Sequence, residues 1–140
     1  FTVPKNLYII GMMNTADRSL AMIDYALRRR FSFFEMEPGF ESKGFKDYQQ
    51  ALGNDTFNEL VNQVVKLNAE ISHDKSLGKG FCIGHSYFCG RTKENCTDEW
   101  MKSVVDYDIL PMLAEYWFDN DDNVKRWKDS FEKRIFNDEV

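Results

Sequence analysis

Two groups of polar side chains in the first 31 residues have types suited to nucleotide chemistry. Asn14 follows an almost wholly apolar run at residues 7–12, and three consecutive arginines stand at residues 28–30. A neutral amide at the carboxyl end of a buried strand can orient a water or contact a phosphate oxygen without adding charge. Surface arginines can reach a nucleotide held by a neighbouring subunit and offset charge on a transferring phosphoryl group.

The same residues also have structural interpretations, which the sequence leaves open. Asn14 suits a turn, and Asp17 or Ser19 suits the N-cap of the helix that is predicted next. Arginines at a helix C-terminus interact favourably with the helix dipole. Asp24, on the same predicted helix, is near enough to pair with one of them.

The elements predicted to position these residues are a strand, a helix and a second strand. The apolar run at 7–12 is typical of a strand buried on both faces. Leu20, Ile23 and Leu27 recur at helical spacing. Residues 31–36 are predicted to form a short strand that ends before Pro38 and Gly39.

After Gly39 the pattern changes to helices. A helix is predicted over residues 41–52, and a longer one is predicted to begin at the capping box Thr56-x-x-Glu59. Its apolar stripe comprises Phe57, Leu60, Val61, Val64, Leu67 and Ile71. Later stripes predict helices near residues 100–109 and 124–135, with Pro111 ending the first or starting a new one. The predicted fold class is therefore an α/β part at 1–38 followed by a helical part at 39–140.

Composition excludes several classes of protein. The chain has 140 residues, a net charge of −5 and no apolar run long enough to span a bilayer. The negative charge argues against a main DNA-binding surface here. The spacing Cys82-x2-His85-x3-Cys89-x6-Cys96 matches no common zinc module, so reduced thiols in a cytoplasmic protein and no bound metal are expected.

Two strings resemble a known family. NLYIIGMMNTADRSLAMIDYALRRRFSFFEMEP, at residues 6–38, resembles the sensor-1 strand and arginine-finger helix of AAA+ nucleotide hydrolases. Among these it is most similar to the McrB group, the GTPase subunits of restriction systems that depend on modified cytosine. LGKGFCIGHSYF, at residues 77–88, resembles the helical lid of the same group. The resemblance implies the C-terminal part of an AAA+ module.

The resemblance implies roles for residues in the first string. Asn14 matches the sensor-1 asparagine, which senses the γ-phosphate and helps to place the attacking water. Thr15, Ala16 and Asp17 complete the same nucleotide-site motif, and the resemblance leaves two roles open for Asp17: contact with the nucleotide, or tethering of the loop or the arginine helix. Arg29 and Arg30 are expected to supply the finger that acts on a neighbouring subunit.

In the second string, Phe88 stands where many AAA+ relatives carry the sensor-2 arginine. The resemblance therefore leaves His85 or Ser86 to approach the nucleotide. The alternative is that His85 and Tyr87 pack inside the lid.

The resemblance implies GTP, or ATP, with Mg in the full-length protein. The sequence contains no G-x-x-x-x-G-K-[ST] phosphate loop, so the chain by itself is expected neither to bind nor to hydrolyse nucleotide. The implied partners are further copies in a ring, expected to be a hexamer, a nuclease and activator subunit of McrC type, and DNA bound through an upstream domain. No membrane partner is expected.

Two other functions stay open at this stage. One is an ATP-using AAA+ protein of the branch that includes MoxR and dynein. The other is a helical interaction module without catalysis. For the two predicted strands, we expect the backbone edges to pair with each other or with another copy of the chain, because an unmet buried amide costs about 1–3 kcal/mol.

Overall fold

The computed structural model describes residues 2–14 and 25–136. The chain divides into two units, Phe1–Glu35 and Met36–Val140. Within the described part of the first unit, the regular structure is one helical turn, α1 (Tyr25–Arg28). The predicted helical positions 20 and 23, and the predicted caps at 17 and 19, lie outside the described residues.

The strands predicted at residues 7–12 and 31–36 are wrong as far as the structure describes them. Both segments lack regular secondary structure and form no sheet with each other. Their side chains are exposed, Ile10 by 93% and Met12 by 98%. An isolated pair of short strands is marginal in water, and no further strand is present among the described residues to complete a sheet. Pairing with a second copy of the chain stays a prediction.

The regular secondary structure of the second unit is helical over its described residues, as predicted. Its helices are α2 (Lys43–Leu52), α3 (Asp55–His73), α4 (Asp98–Val104), α5 (Leu110–Tyr116) and α6 (Asp121–Phe131). Turns of 3-10 helix lie at Gly39–Glu41, Lys79–Phe81 and His85–Phe88. Segments of π-helix lie at Val105–Ile109 and Glu132–Phe136. None of the helices in the described ranges combines the length and apolarity needed to cross a bilayer.

Helix α3 is the centre of the core. The six apolar residues of its predicted stripe are all buried, with at most 2% of any of them exposed. The helix packs against α4, α6, the Lys79–Phe81 turn and the Glu132–Phe136 segment. The 3.6-residue period of the stripe thus identified correctly the face that the other elements cover.

The boundary between α2 and α3 differs from the prediction. Asn54, and not Thr56, is the N-cap of α3, because its Oδ1 accepts a hydrogen bond from the Phe57 amide at 2.9 Å. The same side chain donates through Nδ2 to the Cys96 carbonyl at 3.1 Å. Gly53, with a φ of +56°, ends α2 in the left-handed conformation that glycine adopts at least cost.

Pro111 lies in the first turn of α5, which confirms the second of its two predicted placements. A proline in a regular helix lacks an N–H and clashes with the carbonyl four residues earlier. That carbonyl belongs to Tyr107, inside the π-helical segment Val105–Ile109. The wider turn therefore lies at the place where a regular helix would meet the proline ring.

Candidate functional site

Asn14 lies at the end of the described stretch 2–14, in backbone without regular structure, and its side chain is exposed. Thr15 and Asp17, the other residues of the predicted motif, lie outside the described residues. An exposed amide is accessible to solvent and to a ligand or neighbouring chain. The nucleotide role of Asn14 stays a prediction.

The three arginines follow one another at the end of α1. The helix ends at Arg28, and Arg29 and Arg30 form a turn. All three residues are exposed, which is the condition for a guanidinium group to reach another molecule. Asp24, the carboxylate proposed to pair with one of them, lies outside the described residues. The role of Arg29 and Arg30 at a neighbouring subunit therefore stays a prediction.

The loop at residues 77–88 is held on the helical core by polar contacts to its backbone. Asn68 on α3 donates through Nδ2 to the Ile83 carbonyl at 2.8 Å and accepts from the Ile83 amide through Oδ1 at 2.6 Å. The Tyr48 hydroxyl on α2 donates to the Phe88 carbonyl at 3.0 Å. Burial raises the pKa of Tyr48, although the Arg91 amide that donates to its oxygen opposes the shift.

Phe88 is fully buried in the core. The position that many AAA+ relatives give to an arginine is thus a packing position in this chain. Its ring lies 5.9 Å from that of Phe40, centroid to centroid. The described structure therefore offers no cation at this position of the loop.

His85 is half-buried, and its ring packs within the helical unit. Its Nδ1 accepts a hydrogen bond from the Gly39 amide at 2.9 Å. The ring meets those of Phe40 and Phe45 edge-on, with centroids 6.2 and 5.8 Å apart. Of the two roles left open, packing is the one that this geometry displays. Contact of His85 with a nucleotide stays a prediction.

Ser86 and Tyr87 differ from their neighbour in exposure. Both are exposed, Tyr87 by 39%, although they belong to the same 3-10 turn as the buried Phe88. The Ser86 carbonyl accepts a hydrogen bond from the Cys89 amide at 3.3 Å. The Ser86 hydroxyl is thus placed at the surface, where a ligand could reach it.

The cysteines are free thiols with protein hydrogen-bond partners. Cys82 Sγ donates to the Asn68 carbonyl at 3.5 Å, Cys89 Sγ donates to the His85 carbonyl at 3.3 Å, and the Asn54 amide approaches Cys96 Sγ at 3.9 Å. Burial raises the pKa of all three thiols, so it disfavours the thiolate that binds metals. In residues 2–14 and 25–136, no cluster of three or more His, Cys, Asp or Glu side chains is arranged to hold a metal ion.

Sequence reasoning missed Asn68 and Tyr48, which hold loop 77–88. A signal was present for Asn68, since it lies between Val64 and Ile71 at the spacing of the buried stripe. A polar residue at such a position must find partners inside the protein. The sequence could not show that the partner is the backbone of Ile83.

Comparison with known families adds a separate observation. Residues 59–125 match the family model described as McrB, alpha-helical lid domain. The match begins inside α3 and ends inside α6, so it includes loop 77–88. Residues 59–125 are a McrB-type lid domain. The McrB resemblance drawn from the string at residues 77–88 is thereby confirmed.

One curated relative extends the likeness beyond the lid. The type IV methyl-directed restriction enzyme EcoKMcrB subunit of Escherichia coli strain K12 is 48% identical over 132 residues. The matched region covers 91% of this chain but 29% of that relative. The chain is therefore McrB-like over most of its length and spans less than a third of the relative.

Proposed function

We propose that this McrB-like chain is the lid and the adjoining segment of a GTPase subunit in a restriction system that cuts DNA bearing modified cytosine. The observation that supports the proposal is the 48% identity, over 91% of the chain, to a methyl-directed restriction enzyme subunit. The proposal includes a ring of identical subunits, GTP with Mg, and a nuclease and activator subunit of McrC type. In such a system, hydrolysis at the subunit interfaces drives movement along DNA and cleavage.

In this proposal, the exposed polar groups of the first unit act on the nucleotide. The Asn14 amide orients the attacking water beside the γ-phosphate. Arg29 and Arg30 act on the nucleotide of the neighbouring subunit, where a guanidinium group stabilises the charge of the transferring phosphoryl group. Their exposure supports these roles, because an exposed amide or guanidinium group can reach a nucleotide or a neighbouring subunit.

The experiment measures GTP and ATP turnover in parallel with the full-length subunit, with and without its partner subunit. We expect GTP turnover, and Asn14→Ala should abolish it while nucleotide binding stays within about twofold of the wild type. Asn6→Ala, at another exposed position of the same unit, is the matched control and should keep full activity. Loss of binding in Asn14→Ala would contradict a role in water placement.

The arginine pair is tested in the same assay. Arg29→Ala combined with Arg30→Ala should lower turnover of the assembled ring by about a thousandfold, the scale of an arginine finger, and leave nucleotide binding by monomers unchanged. Lys5→Ala, which also removes an exposed cation of this unit, is the control. Loss of binding in monomers of the double variant would count against action on a neighbouring subunit.

Two outcomes would replace the proposal. Turnover of ATP in preference to GTP would place the protein in the ATP-using branch of AAA+ proteins. No turnover of either nucleotide, with or without the partner, would favour a helical interaction module.

A further inference from the structure

The residues at which the chain enters the helical unit are bound to loop 77–88. We name residues 37–40 the entry segment. The Gly39 amide donates to His85 Nδ1 at 2.9 Å, and Lys79 Nζ donates to Glu37 Oε1 at 2.9 Å. Because both ion-pair side chains are more than half exposed, that pair contributes little energy. The contact to His85 is therefore the one that can fix the backbone.

The fit between Gly39 and His85 leaves no room for a side chain. A Cβ placed on Gly39 would lie 2.9 Å from His85 Cε1 and 3.2 Å from each ring nitrogen. By contrast, a Cβ on Gly44, in the first turn of α2, would meet no atom within 4 Å. Glycine at 39 thus permits the close approach of the imidazole ring to the backbone.

The ring is itself held by two aromatic side chains and by the loop to which it belongs. Phe40 and Phe45 contact it edge-on, and it belongs to a loop that Asn68 and Tyr48 bind through the backbone. Since Nδ1 accepts a hydrogen bond, the neutral ring carries its proton on Nε2. His85 therefore presents an acceptor to the entry segment from a position that the core determines.

We infer that His85 is a positioning residue, which connects the packing of α2 and α3 to the entry segment and sets the backbone direction at Gly39. In this role, His85 Nδ1 is engaged in the hydrogen bond that it accepts from the Gly39 amide. The effect on the Gly39 backbone stands on the geometry alone. The effect on nucleotide turnover rests on the proposed function.

The first test observes the Gly39 amide in the 140-residue chain by nuclear magnetic resonance. We expect a coupling across the hydrogen bond between the Gly39 nitrogen and His85 Nδ1. His85→Phe keeps an aromatic ring but removes the acceptor, so exchange of the Gly39 amide should become about tenfold faster. His85→Asn places an acceptor near the Nδ1 position and should restore most of the protection. Unchanged exchange in His85→Phe would overturn the inference.

A glycine pair supplies the matched control. Gly39→Ala should displace the ring and abolish the coupling, whereas Gly44→Ala should leave it intact. If His85→Phe or Gly39→Ala loses the dispersed amide spectrum of a folded protein, His85→Asn is compared with the wild type instead. This smaller change should leave the protein folded, so the hydrogen bond can still be tested. Persistence of the coupling in Gly39→Ala would also overturn the inference.

The second test measures nucleotide turnover by the full-length subunit. His85→Phe and Gly39→Ala should lower kcat by similar factors with no rise in KM, and the double variant should be no worse than either single one. A rise in KM confined to His85→Phe would show direct contact with the nucleotide and overturn the inference. If the wild type has no turnover at all, the proposed function fails, and the amide measurements alone decide the role of His85.

Discussion

Replacing Asn68 should be among the most damaging single changes in the helical unit. Asn68→Ala removes two hydrogen bonds, of 2.6 and 2.8 Å, that this side chain makes to the backbone of Ile83. The Ile83 amide and carbonyl would then lack these partners beside a side chain that is 1% exposed. Each unsatisfied buried group costs about 1–3 kcal/mol.

The two groups together give a loss of about 2–6 kcal/mol. The higher helix propensity of alanine returns about 0.5 kcal/mol, and relaxation of loop 77–88 reduces the loss further. We therefore expect the free energy of unfolding to fall by about 3 kcal/mol. For a unit of this size, with a urea dependence of about 1.5 kcal/mol per molar, the unfolding midpoint should fall by about 2 M.

The assay is urea unfolding of the 140-residue chain followed by circular dichroism. Asn62→Ala is the matched control, because it makes the same substitution at an exposed position of α3. It should change the free energy of unfolding by less than about 0.5 kcal/mol. If the urea midpoints of the two variants lay within about 0.3 M of each other, the contacts of Asn68 would not stabilise the loop as we argue.

Two further predictions concern capping positions. Hydrogen bonds from the Ser76 hydroxyl, the Trp117 indole and the Ser76 amide lower the pKa of Asp74 from 3.8 to about 2. The contribution of this carboxylate to the free energy of unfolding should be full above about pH 4 and should disappear towards about pH 2. The urea unfolding midpoints of the wild type and of Asp74→Asn should therefore converge as the pH falls. Gly53→Ala should lower the free energy of unfolding by about 1 kcal/mol, because the φ of Gly53 is +56°. Gly44→Ala should raise the free energy of unfolding by about 0.5 kcal/mol, and thermal unfolding distinguishes the two variants.

The helical unit was largely predictable because its signals are local and periodic. The stripe on α3 identified its buried face correctly, and the helix predicted over residues 41–52 is present as α2. The start of α3 was placed wrongly, because Asn54 and Thr56 both suit an N-cap and lie only two positions apart. Such boundary errors follow from the similar capping chemistry of short polar side chains.

The first unit was less predictable, because an apolar run does not specify its own surroundings. Residues 7–12 have the composition of a buried strand, yet a strand needs neighbours to satisfy its backbone, and the run cannot supply them. The contact between Gly39 and His85 was not predicted from the sequence for a related reason. Its partners are 46 residues apart, and no periodic pattern connects them.

The distribution of buried residues has a practical consequence for dissecting this molecule. Among the described residues, every buried apolar side chain lies at or after Phe40, whereas the apolar side chains at residues 7–12 are open to water. A polypeptide trimmed to residues 36–140 would keep all of those buried side chains and lose the exposed apolar side chains at residues 7–12, which favour association. Trimming should thus yield the more soluble and crystallisable form, while the discarded stretch takes Asn14 and all three arginines with it.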